Sequence, residues 1–158
     1  MKENMEAYKA PKSDLTTNEK MPSKPVKAIL FGLSVSIILT MIVSVIIGIG
    51  FGFLAGINFE NENEFETMLT TNPAYMILDI IITASILYLA GTVVRKYAPE
   101  KELIFGTILT VLTLLIIAYM FYAFGSFTTY PLWYSVATLL IIPVSILYGS
   151  RPVQTNKN

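Results

Sequence analysis

Across its 158 residues the chain is 54% hydrophobic and only 14% charged, and eleven basic residues balance eleven acidic ones. It has no cysteine and no histidine, which excludes disulfides, thiolate nucleophiles, the usual zinc ligands and a histidine general base. It shows no basic patch with interleaved aromatic residues, so nucleic acid is excluded as a partner. Charge-free segments of about 20 residues instead favour an integral membrane protein, for which the lipid bilayer is the first partner.

Residues 1–25 form a polar tail that carries several lysines and acids together with Pro11, Pro22 and Pro25. Such a segment has little apolar surface to bury, and its prolines interrupt any helix. We therefore predict a disordered N-terminal tail, followed by one transmembrane domain over residues 26–150 and a short cytoplasmic tail over residues 151–158.

Four apolar segments predict transmembrane helices, at residues 28–57, 74–94, 103–124 and 131–149. The first is longer than the roughly 30 Å of hydrocarbon requires, so we expect it to tilt or to loosen at its glycine-rich end. The second has an N-cap residue in Asn72 and a proline, Pro73, at its first helical position. The fold class is therefore all-α, a polytopic membrane protein built as a four-transmembrane-helix bundle in two hairpins.

Charge is distributed unequally between the two sides of the predicted membrane domain. An even number of spans places both termini on one side, together with the loop after the second span. That side holds all eleven basic residues: Lys2, Lys9, Lys12, Lys20, Lys24, Lys27, Arg95, Lys96, Lys101, Arg151 and Lys157. The other side carries Glu60, Glu62, Glu64 and Glu66, in what we expect to be a solvated loop. The positive-inside rule then predicts that both termini are cytoplasmic, N-in and C-in.

Small residues recur every four positions along the first span and are most regular at Gly48, Gly52 and Gly56. Close backbone approach drives helix association in lipid, so this stripe is a candidate helix-packing face. Packing within the monomer, packing in a homo-oligomer or larger membrane complex, and a pore-lining role all remain open.

Asp79 is the one Asp, Glu, Lys or Arg residue inside the predicted spans. A charge at that depth is costly, and such residues usually face protein or water. Thr83, one turn further on, completes a candidate intramembrane polar site; Tyr119, Tyr122, Ser135 and Thr138 are further hydroxyl partners if their helices pack nearby. Asp79 either stays protonated and donates a structural hydrogen bond, or ionises and binds a proton or cation.

The sequence gives little support for catalysis. It contains no nucleophile with an adjacent base, no paired carboxylates within the spans, and no phosphate-binding or dinucleotide-binding motif. We expect no catalytic residues, no cofactor and no metal site, and therefore no enzyme.

Two short stretches of the sequence resemble segments of known proteins. Tyr8-Lys-Ala-Pro11 and Gly91-Thr-Val-Val-Arg95-Lys-Tyr-Ala-Pro99 resemble the Tyr-x-Ala-Pro leader and the basic turn of uncharacterised small four-span bacterial inner-membrane proteins. The resemblance implies a bacterial plasma membrane location and no particular activity. Small multidrug transporters match in size and span count, but their pattern has a glutamate in the first span, which this chain lacks.

Two hypotheses for function follow. The glycine stripe favours a non-enzymatic accessory or structural membrane protein that acts through helix packing. The buried acid favours the alternative, a small proton- or cation-coupled transporter or channel component that uses Asp79.

Overall fold

The computed structural model describes residues 24–57, 59, 61–123 and 129–152. The predicted tail lies outside the described residues except for Lys24 and Pro25, and so does most of the C-terminal tail.

Within the described residues the chain is helical and contains no strand. Five helices have their bounds there: α1 Pro25–Leu54, α2 Glu62–Thr71, α3 Pro73–Tyr97, α4 Glu102–Ala123 and α5 Leu132–Ser150. All except α2 are long and apolar enough to cross a membrane. The predicted all-α fold with four membrane-spanning helices is confirmed.

The first span differs from the prediction in where it is irregular. It continues as an α-helix through Gly48 and Gly52 and ends at Leu54 rather than at residue 57. Its irregularity is a π-helical segment, Val35–Leu39, near the middle of the span. Gly56 adopts a positive φ of 69° just beyond the helix, a backbone conformation that glycine accepts without strain.

The segment that we expected to be an acidic solvated loop is largely the short helix α2. Phe65, Met68 and Leu69 follow helical spacing and give α2 an apolar face, on which Met68 is buried. The prediction of a loop was wrong because it rested on the alternating glutamates and not on the helical spacing of these apolar residues.

The junction between α2 and α3 follows the prediction. The Asn72 side-chain oxygen accepts hydrogen bonds from the backbone N–H groups of Ala74 (3.0 Å) and Tyr75 (3.3 Å), and Pro73 is the first helical residue. Asn72 is therefore the N-cap of α3, as its sequence position indicated.

Helix α3 lies at the centre of the bundle and contacts all the other helices. Its most extensive packing is with α5, which is not its neighbour in sequence. The two helices run parallel, since Asp79 contacts Tyr134 near their starts and Gly91 lies against Gly149 near their ends. The bundle is thus built around a parallel α3–α5 pair, in addition to the two sequential hairpins.

We call the two ends of the bundle the basic half and the acidic half. The basic half lies towards Lys24, Arg95 and Arg151, where the Lys24 N–H donates to the Tyr97 carbonyl and the Arg95 guanidinium donates to the Arg151 carbonyl. The acidic half lies towards α2 and Asn72. The basic half has an apolar core that consists of Leu87, Ala90, Val94, Leu109, Ile142 and Ile146.

Candidate intramembrane binding site

Asp79 lies in the acidic half, about 9 Å along α3 from Pro73. It is only 8% exposed. The Ser44 hydroxyl on α1 donates a hydrogen bond to one carboxylate oxygen (2.9 Å), and the Tyr134 hydroxyl on α5 donates to the other (2.7 Å). The carboxylate therefore joins three helices through two short hydrogen bonds.

Helix α1 turns a row of hydroxyl side chains towards this carboxylate. Ser36, Thr40 and Ser44 are spaced four residues apart. On a straight α-helix each such step would rotate the side chain by about 40° away from a fixed line. The π-helical segment Val35–Leu39 contains more residues per turn and so reverses part of that drift. The three hydroxyl residues consequently share one face.

A cavity of about 390 Å³ lies beside Asp79, between α1, α3, α4 and α5. Its polar lining residues are Ser36, Thr40, Ser44, Asp79, Thr83, Thr113, Tyr130, Tyr134 and Thr138. Thr83 lies about 15 Å along α3, so the cavity reaches the middle of a 30 Å hydrocarbon layer. A larger cleft of about 580 Å³ lies beside α2 at the surface, outside the spans, and is lined by exposed residues such as Asn61 and Asn63.

Three hydroxyl groups in the cavity wall are buried and have no hydrogen-bond partner in the structure: those of Thr40, Thr113 and Thr138. Thr113 is the most deeply buried of them, with 2% of its surface exposed. Leaving a buried hydroxyl without a partner costs about 1–3 kcal/mol. Each of these oxygens is covered by protein atoms, so the threonine side chain must rotate to present its hydroxyl to a ligand or to water in the cavity.

In the described part of the chain, the cavity lining holds an acid and no base. Among the described residues no lysine or arginine lines it, and Asp79 is its one ionisable acid. Tyr130 lies outside the spans at the end of the cavity, where burial, followed by the charges of Asp79 and Glu66, raises the pKa of its hydroxyl above the usual tyrosine range. Tyr130 thus stays neutral at ordinary pH, and the site suits a cation.

The structure brings together Asp79 and Thr83, both predicted from sequence, in one cavity. Of the further hydroxyl partners considered, Thr138 lines the cavity, whereas Tyr119 and Tyr122 point outward and are exposed. The two residues that bond to Asp79, Ser44 and Tyr134, were not identified as its partners. Ser44 is one of the small residues that recur every four positions along the first span, four residues before Gly48, and that position was the available signal.

The glycine stripe is covered by the chain's own residues. A Cβ atom on Gly48 would lie 3.3 Å from Leu69, and one on Gly52 would contact the Phe59 ring at 2.7 Å. Gly56 does not extend the stripe, because it lies beyond the helix with open space around its Cβ position. Gly48 and Gly52 therefore pack within the monomer, against α2 and Phe59.

Comparisons with protein-family models, with curated proteins and with solved structures find no match for this chain.

Proposed function

We propose that this protein is a small membrane transport protein that binds a proton or cation at Asp79. The observation that carries the proposal is the cavity beside the carboxylate, whose wall holds buried threonine hydroxyls without partners. A site that exchanges its ligand needs such vacant space and such unsatisfied groups.

A purely structural role for Asp79 explains less. The hydrogen bonds from Ser44 and Tyr134 would join the three helices without any cavity beside them. A structural site would also gain stability if Thr113 were apolar, because its hydroxyl has no partner. The unsatisfied wall therefore favours a ligand site over a structural cross-link alone.

The accessory hypothesis began from the glycine stripe as a surface for another protein. Gly48 and Gly52 are occupied by α2 and Phe59, so they offer no free face to a partner. The glycine stripe therefore gives no support to the accessory hypothesis, and we propose the transport hypothesis with a non-enzymatic binding site.

The flux of ions through proteoliposomes tests the proposal. We expect purified protein to carry protons, sodium or potassium down an imposed gradient, measured with an internal pH dye and with radiolabelled cations. Asp79→Asn keeps the size of the side chain and removes its charge, so we expect flux to fall to that of protein-free liposomes. Ser85→Ala is the matched control on the same helix, because Ser85 is exposed and its hydroxyl bonds only the carbonyl of Ile81.

Thermal unfolding in detergent must accompany the flux assay. Flux that persists in a folded Asp79→Asn protein would contradict the proposal. So would a wild-type protein that carries none of these ions while the variant only loses stability.

We further propose that the basic half faces the cytoplasm, in a bacterial plasma membrane. Support comes from the positive-inside rule and from the resemblance of residues 8–11 and 91–99 to inner-membrane proteins. The chain has no cysteine, so single-cysteine variants report on each side cleanly. On intact cells a membrane-impermeant maleimide should label Asn63→Cys and leave Lys96→Cys unlabelled until the cells are permeabilised. The reverse pattern would overturn the orientation.

A further inference from the structure

The cavity beside Asp79 has one flank on the lipid-facing surface of the bundle. Met41 on α1 and Met120 on α4 both line the cavity, and they are 59% and 40% exposed. Helix α4 packs against the segment Pro25–Ser34 of α1 but has no comparable packing against Thr40–Leu54. The two helices thus separate in the acidic half, and the methionines lie at the gap between them.

The chemistry of the lining changes from this gap to the interior. The two methionines are exposed at the gap, and the other apolar lining residues are Ile37, Ile116, Ile117 and Phe121. The interior holds the carboxylate of Asp79 and the hydroxyls of Thr113 and Thr138. A ligand that fills the space must therefore be apolar at one end and polar at the other.

We infer that the cavity binds an amphipathic ammonium ion, a primary or secondary amine on an apolar chain, which enters sideways from the bilayer between α1 and α4. This inference rests on the proposed function and specifies its ligand and its route. The ammonium group pairs with Asp79, and its remaining N–H groups donate to the threonine hydroxyls that lack partners. The chain lies along the apolar wall towards the gap.

Alternative ligands fit the lining less well. An inorganic cation such as calcium takes six or more oxygen ligands, which only the polar side of the cavity can offer, and it would leave the apolar lining without a matching group. An anion would meet Asp79 with no lysine or arginine among the described lining residues to offset the repulsion. A neutral apolar molecule would leave the carboxylate without a counter-charge. Methionine at the gap adapts its shape to chains of different form.

Protection of Asp79 from a carbodiimide tests the inference. Dicyclohexylcarbodiimide modifies carboxyl groups in apolar surroundings, and intact mass analysis in nanodiscs of zwitterionic lipid measures the rate, with Asp79→Asn as the background. We expect octylammonium to halve the rate at a concentration at least about tenfold lower than octyltrimethylammonium, because the latter has the same chain and no N–H donor. Methylammonium, which lacks the chain, and octyl sulfate, which is an anion, should protect little.

Variants at the gap test the route. Met41→Trp and Met120→Trp place a larger ring at the gap, and we expect each to slow the onset of octylammonium protection. Ile42→Trp and Leu115→Trp are matched controls, because these residues lie on the same two helices, are exposed and do not line the cavity. They should behave as wild type.

Three results would overturn the inference: equal protection by methylammonium and octylammonium, equal protection by the trimethyl compound, or an onset in the gap variants that matches the controls. If ion flux through Asp79 is present while octylammonium gives no protection, the inference fails and the proposed function stands. If flux and protection are both absent, the proposed function fails as well.

Discussion

Helices α3 and α5 are held together differently in the two halves of the bundle. In the basic half, α3 and α5 touch along their backbones: a Cβ on Gly91 would collide with the Ile146 carbonyl oxygen, and one on Gly149 with the carbonyl of Tyr88. In the acidic half the same two helices are joined by the Tyr134–Asp79 hydrogen bond, and a cavity of about 390 Å³ lies beside it, between α1, α3, α4 and α5.

The two halves therefore differ in what fills the space between the helices. The basic half is closed by an apolar core and by close backbone contact between α3 and α5. The acidic half contains the unsatisfied hydroxyls of Thr40, Thr113 and Thr138 and the buried carboxyl group of Asp79, and burying such groups lowers stability. The acidic half has an apolar cluster of its own, Met68, Tyr75, Met76 and Tyr134, and the candidate site lies beside it.

The largest effect that we predict comes from adding one methyl group to the basic half. In Gly91→Ala the new Cβ meets backbone atoms of α5, which cannot rotate away as a side chain would. We expect the free energy of unfolding to fall by about 3 kcal/mol, the upper part of the usual range for overpacking. Reversible unfolding in mixed detergent micelles, followed by circular dichroism, measures the change.

Gly50→Ala is the control for that variant, because nothing lies within 4 Å of its Cβ position. Removing a glycine from a helix there should leave stability unchanged or raise it by about 0.5–1 kcal/mol. If Gly91→Ala and Gly50→Ala unfold alike, the close α3–α5 contact does not hold the basic half together.

Local sequence patterns were sufficient to predict the four spans and the cap at Asn72. An apolar run of the right length and an Asn-Pro pair act through neighbouring residues alone, so they can be read without knowing the fold. The apolar face of α2 was also visible in principle, since Phe65, Met68 and Leu69 have helical spacing. The prediction did not include this apolar face because it was based on the glutamates of the same segment.

The pairing of helices could not be predicted in the same way. Ser145 and Gly149 form a small-xxx-small pair, but the sequence does not show that α3, rather than α4, packs against it. The partners of Asp79 depend on that arrangement too, because Tyr134 reaches it only when α5 lies parallel to α3. The acid itself was identifiable from its isolation, whereas its cavity is a property of the assembled bundle.

The smallest effect on stability is expected from Thr113→Val in the cavity wall. The substitution keeps the shape of the side chain and removes a buried hydroxyl that has no partner. We expect the free energy of unfolding to stay the same or rise by up to about 1 kcal/mol, since an unsatisfied group is lost. Octylammonium should protect Asp79 about fivefold less well, because one acceptor for its N–H groups is gone.

Thr110→Val, one turn nearer the basic half on the same helix, supplies the comparison. The Thr110 hydroxyl already donates to the Gly106 carbonyl at 2.9 Å and does not line the cavity, so its loss should lower stability by less than about 1 kcal/mol and leave protection unchanged. If Thr113→Val destabilises the bundle more than Thr110→Val and leaves protection intact, the Thr113 hydroxyl is a structural group. The division between a packed basic half and a ligand-binding acidic half would then be wrong at this residue.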